Sequence, residues 1–438
     1  MLKRMWRFIV LSLIGIPIAH ALTLEQTIHE TIQNNPDILV SQKDHRSIQE
    51  ALKEAQAAYL PKLKVNLGYG IENDRNVNTQ VLPDPSPTMA PRETTVTLDQ
   101  MLFDGFATQW DVARNTARVS SAAYKVLATI EDTVQKNVEV YIGVLREKDL
   151  MDLAKQNLAF HNAIYKMIEL RTQSGVSRRA DLFQAQGRLS LARSNVLAEI
   201  SNLKDTQANF YRTIGLAPEN LNNPPHPNSK YLPSSVMEAI SIALKNNPVI
   251  KTADADINAA VAQHNFAYAT NYPRFDLELS ANRDRNIGGV RGASFEEYAK
   301  IRMSYNLYNG GADISKQQET AFQEQQAKDI RQRAIRQLVE AVKLTWDSLI
   351  TARQQLAWLK AHQQEAEQTV KAYAQEYQIG QRTLLDLLDS QNELFSAKRA
   401  YVQGRYEVLL AEYRLLRDMG LSIAALNLTK DVVLPASA

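Results

Sequence analysis

The sequence predicts a mainly α-helical chain with four membrane-length β-strands, arranged as one helix–β-hairpin–helix motif used twice. Three observations carry this. Prolines fall only at 17, 36, 61, 83–91, 218–233, 248, 273 and 435, so 92–217 and 274–434 contain none. Short motifs recur at a constant offset along the chain. Four segments of about ten residues alternate apolar and polar side chains, the period of a strand with one apolar face.

Composition narrows the function classes. With 50 basic and 48 acidic residues the net charge is +2, so no bulk electrostatic pull toward nucleic acid exists. The chain has no cysteine, which removes disulfides, thiolate metal sites, cysteine nucleophiles and lipid attachment at an N-terminal cysteine. A length of 438 residues suggests two or three globular domains at ~150 residues each. The repeat replaces that expectation.

Residues 1–21 read as a secretory signal. Lys3, Arg4 and Arg7 precede the apolar run Phe8 to Ile18, and Ala19-His20-Ala21 has the small-residue spacing of a cleavage site. The competing reading, a membrane anchor, needs ~20 apolar residues, and this run is shorter. No other stretch reaches 18 consecutive apolar residues. A mature chain that crosses a membrane must therefore do so as a closed barrel.

The first repeat is expected over 22–217: a helix from about 24 to 60, a hairpin over about 62–103 and a long helix pair over about 105–215. A linker follows at 218–234. The second repeat is expected over 235–421, with a helix, a hairpin at about 274–307 and a helix pair at about 310–420, and then a tail at 422–438. Asn34-Asn35-Pro36 and Pro61 recur 212 residues on, as Asn246-Asn247-Pro248 and Pro273. Leu102-Phe103-Asp104-Gly105 recurs 205 residues on as Leu307-Tyr308-Asn309-Gly310, as do Gly175 in Gly380, Asp181 in Asp386 and Arg212 in Arg417. The offset changes once, which confines a seven-residue length difference to the hairpin.

In the strands, Leu63, Val65, Leu67, Tyr69 and Ile71 alternate with Lys62, Lys64, Asn66, Gly68 and Gly70. Phe275, Leu277, Leu279 and Ala281 do the same, and the returning strands are Val96 with Leu98 to Leu102, and Ala299 to Leu307. An ordinary soluble sheet would give this alternation too, but two lone hairpins on very long helices have little to pack against. One chain supplies four strands, and a barrel needs about eight. Three chains would supply twelve.

Residues 312–379 contain neither Gly nor Pro. Ile335, Leu338, Val342, Thr345, Leu349, Ala352, Leu356 and Leu359 step alternately by three and four, the seam of a coiled coil. One helix of this length spans ~100 Å; two or three shorter helices are the alternative. Trp346 and Trp358 are expected to pack, and the basic positions 331, 333 and 336 to form a solvated stripe. Tight turns are expected at Ser174-Gly175-Val176 and Ile379-Gly380-Gln381.

The sequence holds no H-E-x-x-H, no P-loop, no G-x-S-x-G and no dinucleotide fingerprint, and its seven histidines are scattered. The expectation is therefore no catalytic residue, no metal, no cofactor and no enzyme.

The duplicated layout, the run from Tyr377 to Asp389 and the Tyr308-Asn-Gly-Gly311 turn resemble the TolC-type outer-membrane efflux and secretion channels. The resemblance covers essentially the whole mature chain. It implies a homotrimer with a shared 12-stranded β-barrel in the outer membrane of a Gram-negative cell and a long α-helical tunnel in the periplasm. It implies a passive conduit for type I protein secretion or multidrug efflux, with a periplasmic adaptor (a membrane fusion protein) and an inner-membrane ABC or RND pump as partners.

The resemblance also assigns residues. Asp386 and Asp389 correspond to the cation-selective pore gate. Tyr377, Arg382 and Asp181 correspond to the gate latch, although Ala180 lacks the hydroxyl the family places there. Gly175, Val176 and Gly380 correspond to the adaptor-docking tips, with Ser174 and Gln381 replacing the usual aliphatic residues. The residues alone also permit Asp386 and Asp389 to be helix-start carboxylates, which favour a helix N-terminus. They permit the tip glycines to serve turn geometry only. A soluble periplasmic coiled-coil adaptor or scaffold is the rival reading from another class.

Overall fold

Helix ends follow the breakers. In a computed structural model describing residues 22–428 apart from 78, 82 and 85, α1 (Leu24–Asn34) stops at Asn35 and α2 (Pro36–Gln56) begins at Pro36. The signal segment 1–21 and the tail beyond 428 lie outside the described residues. Two strands follow, β1 (Lys62–Tyr69) and β2 (Glu72–Asn73), and then β3 (Thr88–Met89) and β4 (Arg92–Phe103). The helices α3 (Ala107–Gln173) and α4 (Arg179–Ile214) complete the first half.

The second half repeats this order with α5 (Val236–Asn246), α6 (Pro248–Ala267), β5 (Arg274–Arg285), β6 (Ala293–Ser304), α7 (Ala312–Gln378) and α8 (Leu384–Asp418). A short α9 (Ser422–Ala425) follows. α3 and α7 are both 67 residues long, and both their ends lie 205 residues apart. α1 and α5 lie 212 apart at both ends. The long runs are therefore single helices and not a series of short ones.

The chain divides into two compact units. One contains 22–35, Thr133–Leu232 and Thr345–Leu415. Here Asn137, fully buried on α3, donates to the Thr27 carbonyl at 3.0 Å and the Thr31 hydroxyl at 2.6 Å. Tyr141 places its hydroxyl 2.8 Å from the Leu22 carbonyl and 2.7 Å from that of Asn222, which ties the linker to α3. The seam of α7 is buried at Leu349 and Ala352, but Trp358 is 78% exposed. It points away from the seam that its neighbour Leu359 joins, so the expectation that Trp358 packs fails within one chain.

The other unit contains Pro36–Asp132, Pro233–Leu344 and 416–428. Its centre is a four-stranded antiparallel sheet in the order β1-β4-β5-β6. The register aligns Leu63, Leu98, Leu279 and Ala299 in one row, and Val65, Val96 and Ala281 in another on the same face. The opposite face carries Lys62, Asp99, Glu278 and Lys300. β2 and β3 pair in a small second sheet beyond the first hairpin. β1 and β6 are the edges, and Leu67, Tyr69, Ile301 and Met303 on them are more than 60% exposed. Arg331 does not belong to a free solvated stripe: it is ion-paired with Asp254.

The strand-to-helix corner before α3 is tight. Gly105 and Phe106 have φ of +68° and +67°. A Cβ at Gly105 would lie 2.4 Å from the Ala269 carbonyl oxygen, so no other residue fits without moving backbone. Phe103, Phe106 and Tyr272 meet edge to face around it, with centroids 5.2–6.5 Å apart.

Candidate functional site: the helix tips

The two turns joining α3 to α4 and α7 to α8 lie in the same unit and share one design. Gly175 and Gly380 adopt φ of +76° and +81°. At the first turn the Val176 N–H donates to the Arg171 carbonyl at 2.8 Å and the Gly175 N–H to that of Thr172 at 3.1 Å. At the second, Gln381 donates to Glu376 at 2.9 Å and Gly380 to Tyr377 at 3.2 Å. This pair of closing bonds satisfies carbonyls a helix end would leave open, and it needs a left-handed residue after the last turn. Nothing lies within 4 Å of a Cβ built on either glycine, so the requirement for glycine is conformational. Gly380→Ala should therefore cost about 1–2 kcal/mol, the price of a left-handed Cβ. Gly380→Asn should cost less, measured as amide exchange rates of the turn.

Each return helix starts on a carboxylate three residues in. Asp181 accepts from the Arg178 N–H at 3.3 Å. An arginine side chain has no acceptor, so this is half of a capping box. The second tip has the whole box. The Thr383 N–H and hydroxyl both donate to Asp386, at 3.1 and 2.8 Å, and the Asp386 N–H donates back to the Thr383 hydroxyl at 3.2 Å. The Thr383 hydroxyl, followed by its N–H and then the charge of Arg382, holds the Asp386 carboxyl below the usual range. In one chain, then, Asp386 is a cap, and like-charge crowding does not act on it.

Asp389, one turn on, accepts from Arg188 Nη2 at 2.7 Å, a contact from α8 to α4. Arg382 donates to Glu376 at 2.7 Å across its own turn and lies 4.2 Å from the centroid of the Tyr373 ring. Tyr377 packs on the cluster of Ile168, Ala185, Leu384 and Leu388, with Arg171 5.4 Å from the centre of its ring. Among the described residues no hydrogen bond joins Tyr377 or Arg382 to Asp181. Val176 is 74% exposed at the first turn.

Sequence reasoning missed Arg188, Glu376 and Arg171, whose partners arrive from other helices or from across a turn. It also missed His161. That residue is buried on α3, and its Nδ1 has no partner among the described residues. Burial, and then the nearby Arg188 charge, holds the ring below its ordinary value and keeps it neutral. No group of three or more potential metal ligands occurs among the described residues.

The profile of the family described as "Outer membrane efflux protein" matches residues 27–216 and 239–421, covering both halves of the repeat. The chain belongs to that family. Outer membrane efflux protein BepC of Brucella suis biovar 1 is 27% identical over 402 residues, 91% of this chain and 85% of its own length. Outer membrane protein TolC of Escherichia coli K12 is 23% identical over 94% of this chain and 85% of its own. The crystal structure of outer membrane protein VceC from Vibrio cholerae superposes with a TM-score of 0.77 at 16% identity, over 91% of this chain and 96% of that one.

This efflux protein is thus the outer-membrane channel component of an export system, with its helical tunnel in the periplasm. Its family is one of transport proteins and not of enzymes. The soluble adaptor reading is set aside. No helix among the described residues is long and apolar enough to cross a membrane, and the membrane-length elements are the strands.

Proposed function

We propose that three copies close one 12-stranded barrel in outer-membrane lipid, and that the helix tips close its periplasmic end. The observation that carries this is the sheet itself. Four strands are too few to close, and both edges are left open. Pairing β6 of one copy with β1 of the next continues the register through three chains. The rows Leu63–Leu98–Leu279 and Val65–Val96–Ala281 then form an outward apolar band, while the Lys62–Asp99–Glu278 face lines a wet interior.

At the tips, threefold symmetry turns Asp386 and Asp389 into rings of carboxylates around the passage, a cation-selecting device. The latch of Tyr377, Arg382 and Asp181 forms in this reading only when Arg382 exchanges Glu376 for Asp181. Opening is then a change between two packings of the tip helices. The exposed turns at Gly175, Val176 and Gly380 offer the docking points for a periplasmic adaptor. An inner-membrane pump supplies the energy, since this chain has no nucleotide-binding motif.

Single-channel recording of the purified assembly tests this. A small, cation-selective conductance is expected. Asp386→Ala with Asp389→Ala should raise the conductance and lower the cation-to-anion permeability ratio by at least about fivefold, since a single unit charge at about 4 Å in water already supplies that factor for one ion. Unchanged selectivity in the double variant would remove the gate assignment.

A further inference from the structure

The two carboxylates assigned to the gate are not electrically equivalent. Asp389 is ion-paired with Arg188 at 2.7 Å, and the arginine side chain is 30% exposed against 56% for the aspartate. Arg188 is positioned by its own helix: Ala185 and Leu189, on either side of it, are buried on α4. Asp386 accepts only from Thr383 and makes no ion pair among the described residues. Arg382 is ion-paired with Glu376 at 2.7 Å, and only its more distant charge reaches the Asp386 carboxylate. On α3, His161 lies close enough to feel the Arg188 charge but is neutral, so it adds nothing to the balance. Behind the pair, α3 and α8 meet through the neutral bond from Gln391 to Asn157 at 3.2 Å.

We propose that Arg188 is a specificity-setting residue of this channel: it cancels the charge of Asp389 and leaves cation selection at the tip to Asp386 alone. The inference rests on the reading of the tip as the constriction. In a threefold assembly it gives three neutral Arg188–Asp389 pairs beside three Asp386 carboxylates that are capped by Thr383 but hold no ion pair among the described residues. Arg188 acts through Asp389, so it is a positioning residue, and the charge sum at the pair makes definite predictions. Removing the arginine leaves −1 per chain. Removing the aspartate leaves +1. Removing both restores zero.

The test is the reversal potential of single channels in planar bilayers under a potassium chloride gradient, at low salt so that screening is weak. Arg188→Gln should raise the potassium-to-chloride permeability ratio at least about fivefold, the factor that a single unit charge at about 4 Å in water supplies for one ion. Asp389→Asn should lower the ratio. Arg188→Gln with Asp389→Asn should return close to the unmodified channel, and so should Arg188→Lys, which keeps the charge. A purely structural role for Arg188 would leave these signs uncorrelated with charge. If Arg188→Gln leaves the reversal potential in place while Asp386→Asn shifts it, the proposal is overturned and the tip reading stands. If Asp386→Asn also leaves it in place, the tip is not the selective site and both fall.

Discussion

Leu388→Ala should loosen the helix tips, at a cost of about 3–4 kcal/mol, as expected for deleting a fully buried leucine. Leu388 has no exposed surface, and it shares its small cluster with only Ile168, Ala185 and Leu384. Half-buried Tyr165, Met167, Leu182 and Tyr377 close over them. Those side chains can refill only part of the cavity, so the loss falls in the middle of the ~2–5 kcal/mol that such deletions cost. Limited proteolysis at the Gly175 and Gly380 turns and amide exchange along 168–185 and 377–388 would report it. Protection equal to that of the unmodified protein would mean that the tip is held by contacts outside this cluster. Leu388 is neighbour to Asp389, so the same variant should broaden single-channel current levels.

Glu131→Gln should stabilise the C-terminal segment above neutral pH by up to about 3 kcal/mol, the equivalent of a displacement from 4.5 to about 7. Glu131 on α3 is only 4% exposed, and burial dominates its titration over the opposing Ser422, Ile423 and Arg417 interactions. One oxygen accepts from the Ile423 N–H at 3.4 Å, and the other has no partner among the described residues. A carboxyl whose folded value is raised contributes fully below its ordinary 4.5 and loses that contribution as pH rises through about 7. Glutamine keeps the acceptor without the charge. Once the intrinsic base-catalysed rise is divided out, amide exchange of α9 should therefore accelerate between about pH 4.5 and 7 in the native protein and level off above, and the glutamine variant should flatten that rise. A parallel rise in both proteins would exclude Glu131 as its source.

Much of this fold was legible because its signals are one-dimensional. A 67-residue helix needs an unbroken run, and glycine and proline reveal such a run without any knowledge of contacts. Strand faces follow from alternation in the same way. The Asn-Asn-Pro repeat was legible only in part. Its proline marks where α2 and α6 begin, but the second asparagine has a further task that sequence did not reveal. Asn35 donates to the Thr213 carbonyl at 3.0 Å and Asn247 to that of Asp418 at 2.9 Å. In each half it caps the far end of the returning helix, more than 170 residues away. The same limit applied at the tips. That Asp386 could begin a helix was readable from Thr383 three residues earlier. That Arg188 pairs with Asp389, and Arg382 with Glu376, depends on how helices and turns meet, which no local pattern encodes. Trp358 misled for the opposite reason: one position along a helix turns a side chain by about 100°, so being next to the seam is not being in it.

The two open edges of the sheet have a consequence for the history of each molecule. A newly exported chain carries β1 and β6 with rows of unpaired N–H and C=O groups and large apolar side chains beside them. Such an edge templates any extended strand it meets, whether that strand belongs to its own kind or not. The lone chain is therefore a substance with a shelf life. Its safe maturation is a race between correct mates and stray ones, decided by local concentration and by whatever shields the edges in transit. Overproduction should tip that race long before it alters the stability of any helix.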